Sequence, residues 1–151
     1  MKTKTLFTHY YTIFSSIDMG RKDVFQDNES PDGQRRNSKI LQQFARDLVA
    51  SIGMTEFMAP IAEISTGVNE AWTVFIGLYE SCITMHVYPW GQIEINISSC
   101  KNMSPDEMKA TKKLVTEFWL MKEYDLMTYS KTPGKQCNNF KEEHVIVLQA
   151  N

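Results

Sequence analysis

Reactive side chains crowd into one segment of the sequence, between Leu78 and Cys100. Within the 20 residues from 81 to 100 lie Ser81, Cys82, His86, Glu94 and Cys100. A hydroxyl or thiol becomes a nucleophile when a nearby imidazole or carboxylate takes its proton, and imidazole titrates near neutral pH. This segment is therefore where we expect covalent or acid–base chemistry.

Motifs of several common chemistries are absent from the sequence. It contains no GxGxxG or GxxxxGK[ST] phosphate-binding pattern, no HExxH zinc-binding pattern and no GxSxG nucleophile elbow. The three cysteines and three histidines also lack paired ligand spacing, at positions 82, 100 and 137 and at 9, 86 and 144. We therefore expect no metal site.

Composition narrows the class of protein further. With 151 residues, 42% hydrophobic and 23% charged, the chain has the balance of one globular domain. A formal net charge of −2 predicts no nucleic-acid partner. The first ten residues lack the apolar core of a signal peptide, and no apolar run approaches the roughly 20 residues that cross a bilayer. We therefore expect a single domain, 1–151, in the reducing cytoplasm with no membrane partner.

Hydrophobic patterning predicts the elements that position the reactive segment. Ile93, Ile95 and Ile97 alternate with polar residues, as in a half-buried strand. Other runs rich in aromatic and β-branched residues also predict strands. The expected strands cover residues 6–16, 71–80, 82–88, 92–98, 124–129 and 144–148. Together with two helices they predict an α+β fold, in which the helices pack on one face of an antiparallel sheet.

A capping serine marks the expected start of each of the two helices. Ser38 is the expected cap of the first helix, which has apolar residues at three- and four-residue steps and ends at Gly53. Ser104 caps the second helix, with proline at its first position and a glutamate three residues after the serine. Residues 17–37 are polar and charged, and they predict a long surface loop whose tip is at residues 30–33.

The reactive segment resembles the signature of the bacterial and archaeal S-adenosylmethionine decarboxylase proenzymes, which make their own pyruvoyl cofactor. In that family a Glu-Ser pair ends a strand, a histidine follows five residues after the serine, and an aromatic-Pro pair, a glycine and a strand-ending cysteine come next. The matching residues are Glu80-Ser81, His86, Tyr88-Pro89, Gly91 and Cys100. The resemblance extends weakly over residues 6–128 and implies the family's two-layer sandwich of helices on a sheet.

The resemblance implies that the chain cuts itself. In such proenzymes the Ser81 hydroxyl attacks the carbonyl of Glu80, and the chain divides into a β chain, 1–80, and an α chain, 81–151. Ser81 is then the precursor of the pyruvoyl group. His86 is implied to be the acid/base of this self-cleavage. Thr73 occupies the place of a family serine that assists processing.

The resemblance also implies what the processed protein does. The pyruvoyl group forms a Schiff base with the amine of S-adenosylmethionine, and carbon dioxide leaves. Cys100 matches the cysteine that returns a proton to the substrate carbon, which requires an accessible thiol. The product is the aminopropyl donor for polyamine (spermidine) synthesis. The family usually works as a dimer of such protomers, with active sites near the subunit interface.

Four residues depart from the family pattern and leave alternatives open. Where the family has histidine, an acidic residue, aspartate and glycine, this chain has Cys82, Trp90, Asn96 and Lys101. One alternative is a pyruvoyl-dependent arginine or ornithine decarboxylase of the same fold. Another is an unprocessed, non-catalytic homologue that binds S-adenosylmethionine or a partner subunit as a regulatory module.

Each site residue also has an ordinary structural interpretation when it is taken alone. Ser81 fits a turn residue, His86 a hydrogen-bonded structural residue and Cys100 a small buried hydrophobe. Glu80 either orients the bond to be cut or is a solvated carboxylate at a strand end. The joint placement of Ser81, His86 and Cys100 is what favours catalysis.

Overall fold

A computed structural model describes residues 8–15, 19–65, 67 and 70–147 of the chain. Its seven strands form one antiparallel sheet in the order β2-β3-β4-β5-β1-β6-β7. Two helices pack on one face of this sheet, so the predicted α+β class is confirmed. The strands are β1 (Thr8–Ser15), β2 (Ile61–Ile64), β3 (Trp72–Leu78), β4 (Ser81–Val87), β5 (Ile93–Ser99), β6 (Glu123–Lys131) and β7 (Asn138–Ile146), and the helices are α1 (Pro31–Ser51) and α2 (Pro105–Trp119).

The two faces of the sheet differ because side chains alternate along each strand. On the helix-covered face, every second residue of β5 is a buried isoleucine, at 93, 95 and 97, as predicted. Phe44 of α1 and Trp119 of α2 are fully buried in the same core, with ring centroids 5.4 Å apart. No helix of the described chain covers the opposite face, which we call the open face. At its centre lie the half-buried Cys82, Thr84, His86, Glu94, Asn96 and Ser98.

Helix α1 begins at Pro31, so the predicted loop is wrong over residues 31–37 and the predicted cap at Ser38 is wrong. Residues 19–30 contain no α-helix or strand, and residues 17 and 18 of the predicted loop lie outside the described residues. Ser30 is the true cap: its Oγ accepts a hydrogen bond from the Gly33 N–H at 3.0 Å, and Pro31 takes the first helical position. The Pro-Asp-Gly sequence suggested a turn but forms the first turn of the helix. Ser38 lies inside α1, where its hydroxyl donates to the Ala62 carbonyl at 2.8 Å.

Hydrogen bonds, rather than an apolar pattern, order the polar residues before α1. Asn37 is fully buried, and its amide donates to the Gln26 carbonyl at 2.8 Å and to the Asn28 Oδ1 at 2.7 Å. A Cβ at Gly33 would stand 1.8 Å from the Asp27 carbonyl oxygen, so a glycine is required where these segments touch. A short 3-10 turn at Asp23–Phe25 precedes them. Met19 and Val24 of this segment are fully buried as well, but they stand singly among polar residues with no repeating apolar spacing, so hydropathy alone does not reveal the packing.

The remaining elements lie close to their predicted positions, with two differences. The short edge strand β2 was not predicted, because Ala62 is its one buried residue. Strand β7 begins at Asn138 rather than at His144, and nearly all of it is exposed. Residues 6, 7, 16 and 148, at the ends of the predicted strands, lie outside the described residues. In the described ranges no helix is both long enough and apolar enough to span a membrane.

Candidate active site

Glu80 and Ser81 lie at the tight turn between β3 and β4. Leu78 ends β3 and pairs with Ser81, the first residue of β4, so that Tyr79 and Glu80 form a two-residue hairpin loop. The Cys100 N–H donates a hydrogen bond to the Glu80 carbonyl oxygen at 3.0 Å. The carbonyl next to Ser81 in the chain is therefore already polarised by a backbone donor.

The side chain of Glu80 is held in place as well. Its Oε2 accepts a hydrogen bond from the Thr55 N–H at 3.1 Å. The Thr55 carbonyl in turn accepts from the Tyr79 N–H at 3.0 Å. The carboxylate is thus anchored to the backbone before β2 rather than free in solvent, and the hairpin loop is fixed from both sides.

The Ser81 hydroxyl meets a hydroxyl from the neighbouring strand. Ser81 Oγ lies 2.6 Å from Ser98 Oγ, and Ser98 Oγ lies 3.4 Å from Cys82 Sγ. All three residues are half-buried. Sequence reasoning did not single out Ser98. The register of β4 against β5, which sets Ser98 opposite Cys82, is the signal that identifies it.

Cys100 lies at the same end of the sheet as the turn. It follows directly after β5, its side chain is exposed, and its backbone contacts Glu80. The structure therefore brings together four of the reactive residues with Ser98. We call Glu80, Ser81, Cys82, Ser98 and Cys100 the cleavage-end cluster.

His86 and Thr73 form a separate group towards the other end of the same strands. Thr73 Oγ1 lies 3.2 Å from His86 Nδ1, and Glu94 is the cross-strand neighbour of His86. His86 is five residues beyond Ser81 on β4, which corresponds to about 16 Å along an extended strand. Within one chain, the imidazole of His86 therefore does not reach the Glu80-Ser81 bond. We call Thr73, His86 and Glu94 the histidine cluster.

Aromatic rings extend the histidine cluster towards the turn between β4 and β5. Tyr88 and Trp90 stack with centroids 4.8 Å apart, and Trp90 is 56% exposed. The Trp90 indole N–H donates to Gln92 Oε1 at 3.2 Å. An aromatic surface thus stands where the resembled family has an acidic residue.

Two other departures from the family pattern have structural roles. The Lys101 ammonium binds Glu107 Oε2 at 2.9 Å and the Gly53 carbonyl at 3.0 Å, which ties the end of β5 to both helices. The backbone N–H of Ser104, followed by Lys101, lowers the pKa of Glu107 below its ordinary value. Asn96 accepts a hydrogen bond from Thr12 on the open face.

A cavity of about 220 Å³ opens beside the cleavage-end cluster on the open face. Tyr10 and Tyr129, stacked 4.7 Å apart, form one wall. Cys82 and Ser98 form another. Among the residues that the structure describes, no group of three or more His, Cys, Asp or Glu side chains is arranged to hold a metal ion.

Comparison with known proteins relates the chain to one solved fold. No protein-family model matches the sequence, and no curated protein is significantly similar to it. Its fold is similar to the crystal structure of the adenosylmethionine decarboxylase from Aquifex aeolicus VF5, with a TM-score of 0.55 and 16% sequence identity. The match covers 83% of this chain and 90% of that one. At this identity the similarity establishes the fold.

Proposed function

We propose that the protein is a pyruvoyl-dependent S-adenosylmethionine decarboxylase that cuts its own chain between Glu80 and Ser81. The observation that carries this proposal is the hydrogen bond from the Cys100 N–H to the Glu80 carbonyl, at a tight turn where Ser81 is the next residue. The fold shared with an adenosylmethionine decarboxylase supports it. The product would be the aminopropyl donor of polyamine synthesis.

The geometry of the turn suits an attack by the Ser81 hydroxyl on the Glu80 carbonyl carbon. Negative charge develops on the carbonyl oxygen during such an attack, and a preplaced N–H donor stabilises it. The Cys100 amide is such a donor. The bond between the Glu80 carbon and the Ser81 nitrogen then breaks, leaving an ester. A base, the role proposed for His86, then takes the Cα proton of residue 81 as its Cβ–Oγ bond breaks, and the chain 1–80 leaves with a new C-terminal carboxylate. Water hydrolyses the dehydroalanine that remains, which releases ammonia and leaves a pyruvoyl group at residue 81.

The cleavage-end cluster fits a pyruvoyl group at position 81. When formed, this group supplies an electron sink for the decarboxylation of an amino acid. Ser98 and Cys82 flank the position, and the neighbouring cavity is open to a small substrate. In this proposal the Cys100 thiol, which is exposed, returns a proton to the substrate carbon.

The proposal includes a dimer, because His86 can act as the base at residue 81 only if another copy supplies it. About 16 Å of β4 separates His86 from Ser81 in one chain. In such a dimer the open faces of the two copies would face each other, and the two-fold axis would run between them, perpendicular to the strands. The β4 strands of the two copies would then run in opposite directions. This arrangement would set the histidine cluster of one copy beside the cleavage-end cluster of the other. The shared site would then lie at the subunit interface.

Exposed apolar side chains near the cleavage-end cluster support this choice of partner. Phe57, Tyr79 and Ile61 are 56%, 76% and 47% exposed. The rings of Phe57 and Tyr79 contact edge to face at 5.7 Å, and the Phe57 ring lies against Gly77 on β3. Apolar surface of this kind is typical of an interface. A second copy would cover it while completing the site.

Intact mass analysis of the purified protein tests the proposal. We expect two fragments, 1–80 and 81–151, with the second carrying a carbonyl that borohydride reduces. Ser81→Ala is the matched control and is expected to remain one chain. An intact wild-type chain would contradict the proposed enzyme and favour the unprocessed, non-catalytic homologue.

The substrate is tested separately on the processed protein. We expect carbon dioxide release from S-adenosylmethionine and not from arginine or ornithine. Release from either of those two amino acids instead would replace the proposed substrate. It would favour the related decarboxylases of the same fold.

A further inference from the structure

We propose that Ser98 carries the proton of the Ser81 hydroxyl during self-cleavage and that Cys82 positions Ser98 for this task. The inference rests on the proposed function, since it assigns a step of the same reaction. Ser81, Ser98 and Cys82 all belong to the same copy of the chain. The side-chain contacts that join these three residues support the inference.

The contact between the two hydroxyls carries the assignment. Ser81 Oγ and Ser98 Oγ are 2.6 Å apart, at the short end of the ordinary range for a bond between two hydroxyls. In the described part of the chain no other side chain hydrogen-bonds to Ser81. His86 of the same chain stands about 16 Å away along β4. Ser98 is thus the group in contact with the reacting oxygen.

Cys82 fixes the position of Ser98. The two residues are direct cross-strand neighbours, and Cys82 Sγ lies 3.4 Å from Ser98 Oγ. All three residues are half-buried, and a hydrogen bond that is partly shielded from water is stronger than an exposed one. The Ser98 hydroxyl is therefore held between the thiol and Ser81.

A hydroxyl suits this position because it accepts one proton while it donates another. The Oγ–H bond of Ser81 breaks as Oγ bonds to the Glu80 carbonyl carbon. That proton passes to Ser98 Oγ, and Ser98 gives its own proton to the Ser81 nitrogen as the C–N bond breaks. The step is an isomerisation of amide to ester. No atom is lost, no electron is transferred and no co-reactant is needed.

The test compares two variants of nearly equal shape at position 98. Ser98→Thr keeps the hydroxyl, whereas Ser98→Val replaces it with a methyl group. Fresh precursor is made by cell-free translation, and the appearance of fragments 1–80 and 81–151 is followed by intact mass. We expect Ser98→Val to cut about 100-fold more slowly than wild type, as for loss of a positioned proton-transfer group. We expect Ser98→Thr to cut within a few-fold of the wild-type rate.

Further variants separate this role from a merely structural one. Thr116→Ala removes a hydroxyl from α2, on the helix-covered side of the sheet, and is expected to cut at the wild-type rate. Cys82→Ala is expected to slow cutting, and Cys82→Ser, which keeps a hydrogen-bonding group, is expected to restore it. Hydroxylamine, which cleaves esters, is expected to trap less ester in Ser98→Val than in Ser98→Thr. Thermal unfolding of each variant verifies that it is folded.

Each outcome either supports or overturns the role of Ser98 in proton transfer. Equal cutting rates for Ser98→Val and Ser98→Thr, in folded proteins, would overturn the role of Ser98 while leaving the proposed function intact. A wild-type chain that never cuts would overturn both the proposed function and this inference. Slow cutting confined to Ser98→Val, with less trapped ester, would establish the relay.

Discussion

Ser81 and Cys100 are 19 positions apart in the sequence but lie at one end of the sheet, because β4 and β5 run antiparallel. This pairing also sets Ser98 opposite Cys82, from where its hydroxyl contacts the neighbouring Ser81, a contact that residue types and spacing did not predict. The spacing of five residues between Ser81 and His86 suggested that they act together. In an extended strand the same spacing places them far apart.

The proposed role of Cys100 as proton donor leads to a prediction for a single side chain. We expect Cys100→Ala to cut itself normally, because the backbone N–H that contacts Glu80 remains in the variant. Turnover of S-adenosylmethionine should fall about 100-fold or more, as expected for loss of a proton donor. Intact mass and carbon dioxide release measure the two effects. Normal turnover would exclude Cys100 as the donor.

His144 gives a prediction for pH dependence. Hydrogen bonds to Asp125 at 2.6 Å and to Glu123 at 3.0 Å raise the pKa of His144 above 6.5. A raised pKa in the folded state stabilises the fold below pH 6.5, the ordinary histidine value, and this contribution is lost as pH rises through the raised value. We expect the NMR titration midpoint of His144 to lie above 6.5 in wild type. It should move down in Asp125→Asn, and an unchanged midpoint would contradict the role of Asp125.

At the scale of elements, cap residues account for the starts of both helices. Ser104 and Glu107 form the predicted capping box at α2, whose apolar face follows at helical spacing. Ser30 caps α1 in the same way, but its signal was concealed because proline, aspartate and glycine are also turn residues. The hydrogen bonds of Asn37 with Gln26 and Asn28 stabilise the helical conformation at the start of α1.

The cap of α2 predicts a stability change. Ser104→Ala removes the hydroxyl that accepts the Glu107 N–H at 3.1 Å. We expect the free energy of unfolding to fall by about 1 kcal/mol, as measured by urea denaturation. Glu117→Ala, at an exposed position of α2, is the control and should change stability by less than about 0.5 kcal/mol. Equal effects of the two substitutions would argue against the capping role.

At the scale of the whole molecule, the helices of the described residues cover one face of the sheet, and none of them covers the open face. The cleavage-end cluster and the histidine cluster both lie along this face, separated by most of the length of β4. Covering the face with a second copy would join the two clusters into one site. The proposed dimer therefore predicts that two inactive variants complement each other, which a site built from one chain would not allow.

Mixing two inactive variants tests the shared site. Ser81→Ala lacks the nucleophile, and His86→Ala lacks the proposed acid/base of the partner. We expect neither variant to cut well alone. When the two are co-expressed, the Ser81 of one chain and the His86 of the other restore cutting, and the fragments come from the His86→Ala chain. No fragments in the mixture, with His86→Ala inactive alone, would contradict a site shared between copies.

The sequence by itself determined the α+β class, the central strands and the second helix, because apolar periodicity and cap residues act over a few neighbouring positions. It also marked Glu80, Ser81, His86 and Cys100 as the residues of interest. Tertiary structure decided how the polar residues before α1 fold and that Ser98 contacts Ser81. It also decided that His86 lies away from the bond it was predicted to act on. These features depend on strand register and on hydrogen bonds between distant segments, which no local pattern encodes.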